Sequence, residues 1–94
     1  MVKDNLELKA EILKVMGHPE RLEILKLLMK KEMCIKELCK KLEFTQPKVS
    51  QHIGIMKEVG IVKFKRMGTK NIYHIDSEFA ETIVKAVFSK DRTI

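Results

Sequence analysis

Gln46, Lys48, Ser50 and Gln51 fall within six residues, and all four are types that hydrogen-bond base edges and phosphates. They share their stretch with Val49, Ile53 and Met56, which stand at i, i+4 and i+7. That spacing buries one stripe of a helix and leaves the polar residues pointing elsewhere. Thr45 is placed to cap the helix through its hydroxyl, and Pro47 sits where a helix start tolerates a missing N–H. Gly60 closes it. The layout over 46–59 is that of a recognition helix in a DNA-binding helix-turn-helix.

Other residues with chemistry to offer are few. Cys34 and Cys39 stand five apart, which inside one helix puts them about 140° apart around the axis, so they diverge. Cys39 fits an inner stripe with Ile35, Leu38 and Leu42. Cys34 lies at or before the helix start, where a thiol pKa can fall. A structural role, thiol sensing and metal binding all stay open for it. His18, His52 and His74 do not cluster in the sequence, so no metal ligand set and no cofactor is expected. There is no glycine-rich phosphate loop and no nucleophile with a nearby base, which argues against an enzyme.

The elements that must position these residues follow from periodicity. Leu6 to Met16 predicts a helix with a wide apolar face, ended by Gly17. Pro19 opens a second helix, apolar on most sides and therefore central. Ile35 to Leu42 predicts a short third helix, and Glu43-Phe44 the turn into the fourth. After Gly60 the period changes to two. Val62, Phe64 and Arg66 alternate with Lys63, Lys65 and Met67; Gly68-Thr69 is a turn; Asn71 to Ile75 is a second strand. A basic hairpin wing over 62–75 results. Ser77 caps a last helix whose apolar residues come in pairs, Phe79-Ala80, Ile83-Val84 and Val87-Phe88.

One domain over residues 1–94 is expected: mainly α (α+β), in the order α-α-α-α-β-β-α. The first and last helices carry more apolar surface than so small a domain needs, notably Leu6, Leu8, Ile12, Phe79, Ile83 and Val87. A dimer through those two helices is the expectation, against a tightly wrapped monomer. The formal charge is +6, and residues 44–75 hold +5 of it, with Glu58 the only acid there. An anionic partner fits that concentration. No apolar run approaches a membrane span, no secretory pattern marks Met1-Val2-Lys3-Asp4, and two cysteines fit a reducing cytoplasm.

At this point the residues resemble the ArsR-type (ArsR/SmtB) winged-helix repressors. Gly17-His18-Pro19-Glu20-Arg21-Leu22 through Leu28 is similar to the family's D-P-x-R-x-x-I-L-x-L-L element. Thr45-Gln46-Pro47 through Gly60-Ile61-Val62 is similar to its recognition helix, and Arg66-Met67-Gly68-Thr69 with Ile72-Tyr73 to its wing. The resemblance implies a homodimer whose two recognition helices enter successive major grooves of an imperfect palindrome, about 34 Å apart. It implies Gln46, Lys48, Ser50 and Gln51 as base-reading residues. Gln46 or Gln51 would pair with adenine, and Lys48 would reach guanine or a phosphate. Thr45, Lys63, Lys65, Arg66 and Lys70 would hold backbone phosphates, each adding about one unit to the salt dependence of log K. The histidine matching His52 lies toward the body of the domain, in a packing or hydrogen-bonding role.

Two sensing patterns of that family are broken here. In the Cys-x-Cys pattern Cys34 is kept and Lys36 replaces the second thiolate. In the D-x-H-x10-H-x-x-E pattern Asp76 is kept, while Glu78, Ser89 and Arg92 replace the rest. The expectation is a repressor whose usual metal and metalloid sites are lost, answering an untypical signal or none; the sequence names no inducer. The alternative is a winged-helix module that binds protein or RNA without reading DNA sequence.

Overall fold

The structure is a computed structural model that describes residues 2–89, with side chains from residue 5 onward. Its elements are α1 (Val2–Met16), α2 (Pro19–Lys30), α3 (Ile35–Leu42), α4 (Gln46–Glu58), β1 (Val62–Met67), β2 (Lys70–Ile75) and α5 (Glu78–Val87). This is the expected order of five helices and a two-stranded wing. Three boundaries move: α1 begins at Val2 rather than Leu6, β2 begins at Lys70 rather than Asn71, and α4 stops at Glu58 with Val59 as its cap.

Local chemistry sets the boundaries. His18 caps α2, its Nδ1 accepting from the Glu20 backbone N–H at 3.2 Å, and Pro19 follows as the first helical residue. The Thr45 hydroxyl accepts from the Lys48 N–H at 3.4 Å, and the Ser77 hydroxyl accepts from the Ala80 N–H at 3.0 Å. Such caps are each worth about 1 kcal/mol. The turn between α3 and α4 is made by Glu43 in the left-handed conformation, φ 58°. A side chain is disfavoured there, so the helix pair holds some local strain. Gly68, at φ 65°, and Thr69 form a two-residue hairpin turn; only the glycine has positive φ, the type II′ pattern.

The core is built around α2, as its all-round apolar character required. Ile24 and Leu25 are fully buried, against Leu38 of α3, Val49, Ile53 and Met56 of α4, and Ala80 and Val84 of α5. Ile61 and Val62, also fully buried, anchor the base of the wing. A further tie was not expected. Met33 and Tyr73 exchange both backbone hydrogen bonds, at 3.1 and 2.8 Å, so β2 is held between β1 and the segment before α3. No helix among the described residues is long and apolar enough to cross a membrane.

Candidate nucleic-acid interface

The buried stripe of α4 leaves an outer arc made by Gln46, Pro47, Ser50, Gln51 and Gly54, all exposed. Gly54 stands in the middle of this arc, and a Cβ there would meet nothing within 4 Å. Internal packing therefore does not require a glycine. Lys48 is exposed too, but it lies at the edge of the arc, next to His52 one turn on.

The wing distributes its cations by register. Lys63, Lys65 and Lys70 pair across the strands with His74, Ile72 and Met67, so all three share one face. Arg66 lies on the other face with Phe64 and Tyr73, and its Nε donates to the Gly68 carbonyl at 3.1 Å, folding the guanidinium over the turn. Lys63 pairs with Asp76 at 3.2 Å and Lys65 with Glu32 at 3.3 Å. Exposed pairs of this kind are worth ~0–1 kcal/mol, so a phosphate can replace the carboxylate at little cost.

Behind the outer arc, α4 meets the start of α2 through a polar network. Glu20 spans it, its Oε2 taking Lys48 Nζ at 2.9 Å and its Oε1 lying 2.9 Å from His52 Nε2. Arg21 Nε donates to His52 Nδ1 at 3.2 Å and Arg21 Nη1 to the Val15 carbonyl at 3.0 Å. The hydrogen bond from His52, and then that from Lys48, holds the Glu20 carboxyl below the usual carboxylate range. His52 is 7% exposed, and its ring meets that of His18 edge-on at 4.7 Å.

This network overturns the expectation of a chain whose usual metal and metalloid sites are lost and which holds no metal ligands. His18, Glu20 and His52 each offer a ligand atom, all within 4.8 Å of one another. Histidines scattered in the sequence converge because the helix-turn-helix packs the α2 start against α4. The chain retains a metal-capable set, at neither of the two familiar patterns.

With this geometry in view, comparison with known proteins is decisive. Residues 18–63 match the family described as bacterial regulatory protein, arsR family. An uncharacterised HTH-type transcriptional regulator of Methanocaldococcus jannaschii is 41% identical over 85 residues, covering 89% of this chain and 96% of that one. The chain belongs to the arsR family. It is thus a DNA-binding transcription regulator and not an enzyme. Two solved structures of this kind match its fold. The transcriptional repressor PagR of Bacillus anthracis has a TM-score of 0.84 at 34% identity, covering 90% of this chain and 98% of that one. A homodimeric winged helix-turn-helix DNA-binding domain from Mycobacterium bovis has a TM-score of 0.81 at 25% identity, covering 90% and 79%.

Leu6, Leu8 and Val87 are exposed, as are Leu13 and Phe88, while Phe79 and Ile83 are half-buried. Ile12 departs from the expected interface: at 4% exposure it already packs the chain's own core. Cys34 is buried and Cys39 half-buried, both as free thiols. Cys34 stands at the N-cap of α3, and it lines one open groove with Cys39, Lys36, Lys40 and Lys70. Arg92 lies outside the described residues.

Proposed function

We propose that this chain acts as a homodimeric repressor that reads an imperfect palindrome with α4 and grips the flanking backbone with the wing. The carrying observation is the outer arc of α4: Gln46, Ser50 and Gln51 stand exposed with no large apolar side chain among them. Gln46 and Gln51 would pair with adenine edges, Ser50 with a base or phosphate, and Lys48 with guanine or a phosphate. Thr45 would turn its hydroxyl proton to a phosphate while it caps α4. Lys63, Lys65 and Arg66 would exchange their present partners for phosphates, and Lys70 would add a fourth contact. The homodimeric domain from Mycobacterium bovis supports the two-fold assembly, and the repressor from Bacillus anthracis supports the sign of regulation. The exposed Leu6, Leu8 and Val87 with Phe79 and Ile83 supply a surface for the partner copy.

The test is fluorescence anisotropy with the duplex upstream of the chain's own gene, against a scrambled duplex of equal length, at two salt concentrations. Preference that persists at the higher salt supports the reading. Equal, salt-labile binding to both duplexes contradicts it, because a merely basic surface would give that result.

A further inference from the structure

Two helices bring three ligand-bearing side chains together behind the outer face of α4. His18 caps α2, Glu20 lies in its first turn, and His52 stands mid-way along α4. Two imidazoles and one carboxylate form a nitrogen–oxygen set that borderline divalent metals accept, with a fourth position left for water. Tetrahedral bonds of about 2.0–2.1 Å put ligand atoms roughly 3.3 Å apart. His52 Nε2 and Glu20 Oε1 are already at 2.9 Å, and the widest separation in the set is within 4.8 Å, which a modest side-chain rotation closes.

We propose that His18, Glu20 and His52 form a site for a divalent transition-metal ion at the α2–α4 junction, and that filling it tightens the hold of α4 on DNA. The second half rests on the DNA-reading role proposed above.

Two exchanges couple the site to the interface. Arg21 Nε–H can only donate, so His52 Nδ1 accepts from it and the ring proton sits on Nε2, which donates to Glu20. A metal takes an unprotonated nitrogen. Ligation through Nε2 therefore leaves the ring proton on Nδ1, and the Arg21 Nε contact opens while Nη1 keeps the Val15 carbonyl. On the other side, Glu20 Oε2 holds Lys48. With a dication on the same carboxylate, the ammonium is repelled and released outward. The freed lysine and the added positive charge both raise the potential beside α4, which favours a polyanion.

The first arm of the test uses the chelator-stripped chain without DNA, titrated with Zn²⁺ by calorimetry and with Co²⁺ by absorption. The expected result is one ion per chain and a tetrahedral Co²⁺ spectrum with no thiolate charge-transfer band. His18→Asn keeps a capping acceptor and should weaken binding roughly tenfold or more, since even outer-shell partners are worth that much. Glu20→Gln should weaken it likewise, and Cys34→Ser should not. No binding, binding untouched by both ligand variants, or a thiolate band overturns the site. The second arm measures affinity for one duplex with Zn²⁺ and with chelator. Wild type should bind roughly fivefold or more tightly with Zn²⁺, and His18→Asn should show no difference. Weaker or unchanged binding in wild type overturns the coupling. If the chain binds no duplex either with Zn²⁺ or with chelator, the DNA reading fails while the first arm stands.

Discussion

Glu20 Oε2 lies 2.9 Å from Lys48 Nζ, so an acid at the start of α2 restrains a cation on α4. The same carboxylate meets His52 through its other oxygen. One residue outside α4 thus controls both the charge and the seating of that helix.

Removing this restraint should strengthen DNA binding. In the presence of chelator, Glu20→Gln removes a negative charge and leaves Lys48 free to meet a phosphate. The variant should bind any duplex more tightly than wild type, with a salt slope steeper by about one unit. Anisotropy across a salt series checks this, and an unchanged or weaker affinity would contradict the role given to the pair.

Helix and wing variants should fail differently. Gln51→Ala should cost about 1–3 kcal/mol on the preferred duplex and relax discrimination at one base pair. Lys65→Ala should weaken binding to all duplexes alike and reduce the salt slope by about one unit. A loss of discrimination in the wing variant, or a uniform loss in the helix variant, would reverse the assignment.

Gly54 offers a stability test free of packing effects. A Cβ there meets nothing within 4 Å, and a glycine inside a helix is costly relative to alanine. Gly54→Ala should stabilise the fold by about 0.5–1 kcal/mol, read as a higher unfolding midpoint in urea. A lower midpoint would mean that α4 is not a regular helix at this position.

The start of α3 carries a pH dependence. The Cys34 backbone N–H donates to Glu37 Oε1 at 3.2 Å, and chiefly this bond holds the Glu37 carboxyl below its ordinary value. A lowered folded value means a contribution present above the unfolded value and lost as pH falls through the folded one. Wild type should therefore exceed Glu37→Gln in stability at pH 7, with the gap closing below about pH 4. A gap that stays constant from neutral to acid pH would rule the carboxylate out as its source.

A charge in the exposed apolar surface should disrupt the proposed pairing of two copies. Leu8 is 51% exposed and contributes little to the chain's own core. Leu8→Glu should leave the circular dichroism spectrum unchanged and shift sedimentation toward the monomer. A variant that sediments as a dimer would place the two-fold interface elsewhere.

Features set by near neighbours in the chain were legible beforehand. The Val49/Ile53/Met56 stripe, the Thr45 and Ser77 caps and the Gly68-Thr69 turn all follow from residue types a few positions apart. Features set by packing were not. The Met33–Tyr73 bridge joins residues 40 apart, and His52 meets Glu20 across 32 positions. Neither pairing has a local signature. Ile12 shows a related ambiguity, because apolar periodicity cannot tell a chain's own core from a partner's surface. Glu43 carries no residue-type signal for its left-handed backbone.

The most direct test of the central claim is selection of bound duplexes from a random pool by the wild-type chain and by Gln46→Ala and Gln51→Ala. A homodimer that reads DNA through α4 should enrich an inverted repeat with half-sites about one helical turn apart, and the variants should relax the consensus within each half-site. A pool with no enriched sequence, or one enriched identically by all three proteins, would contradict it.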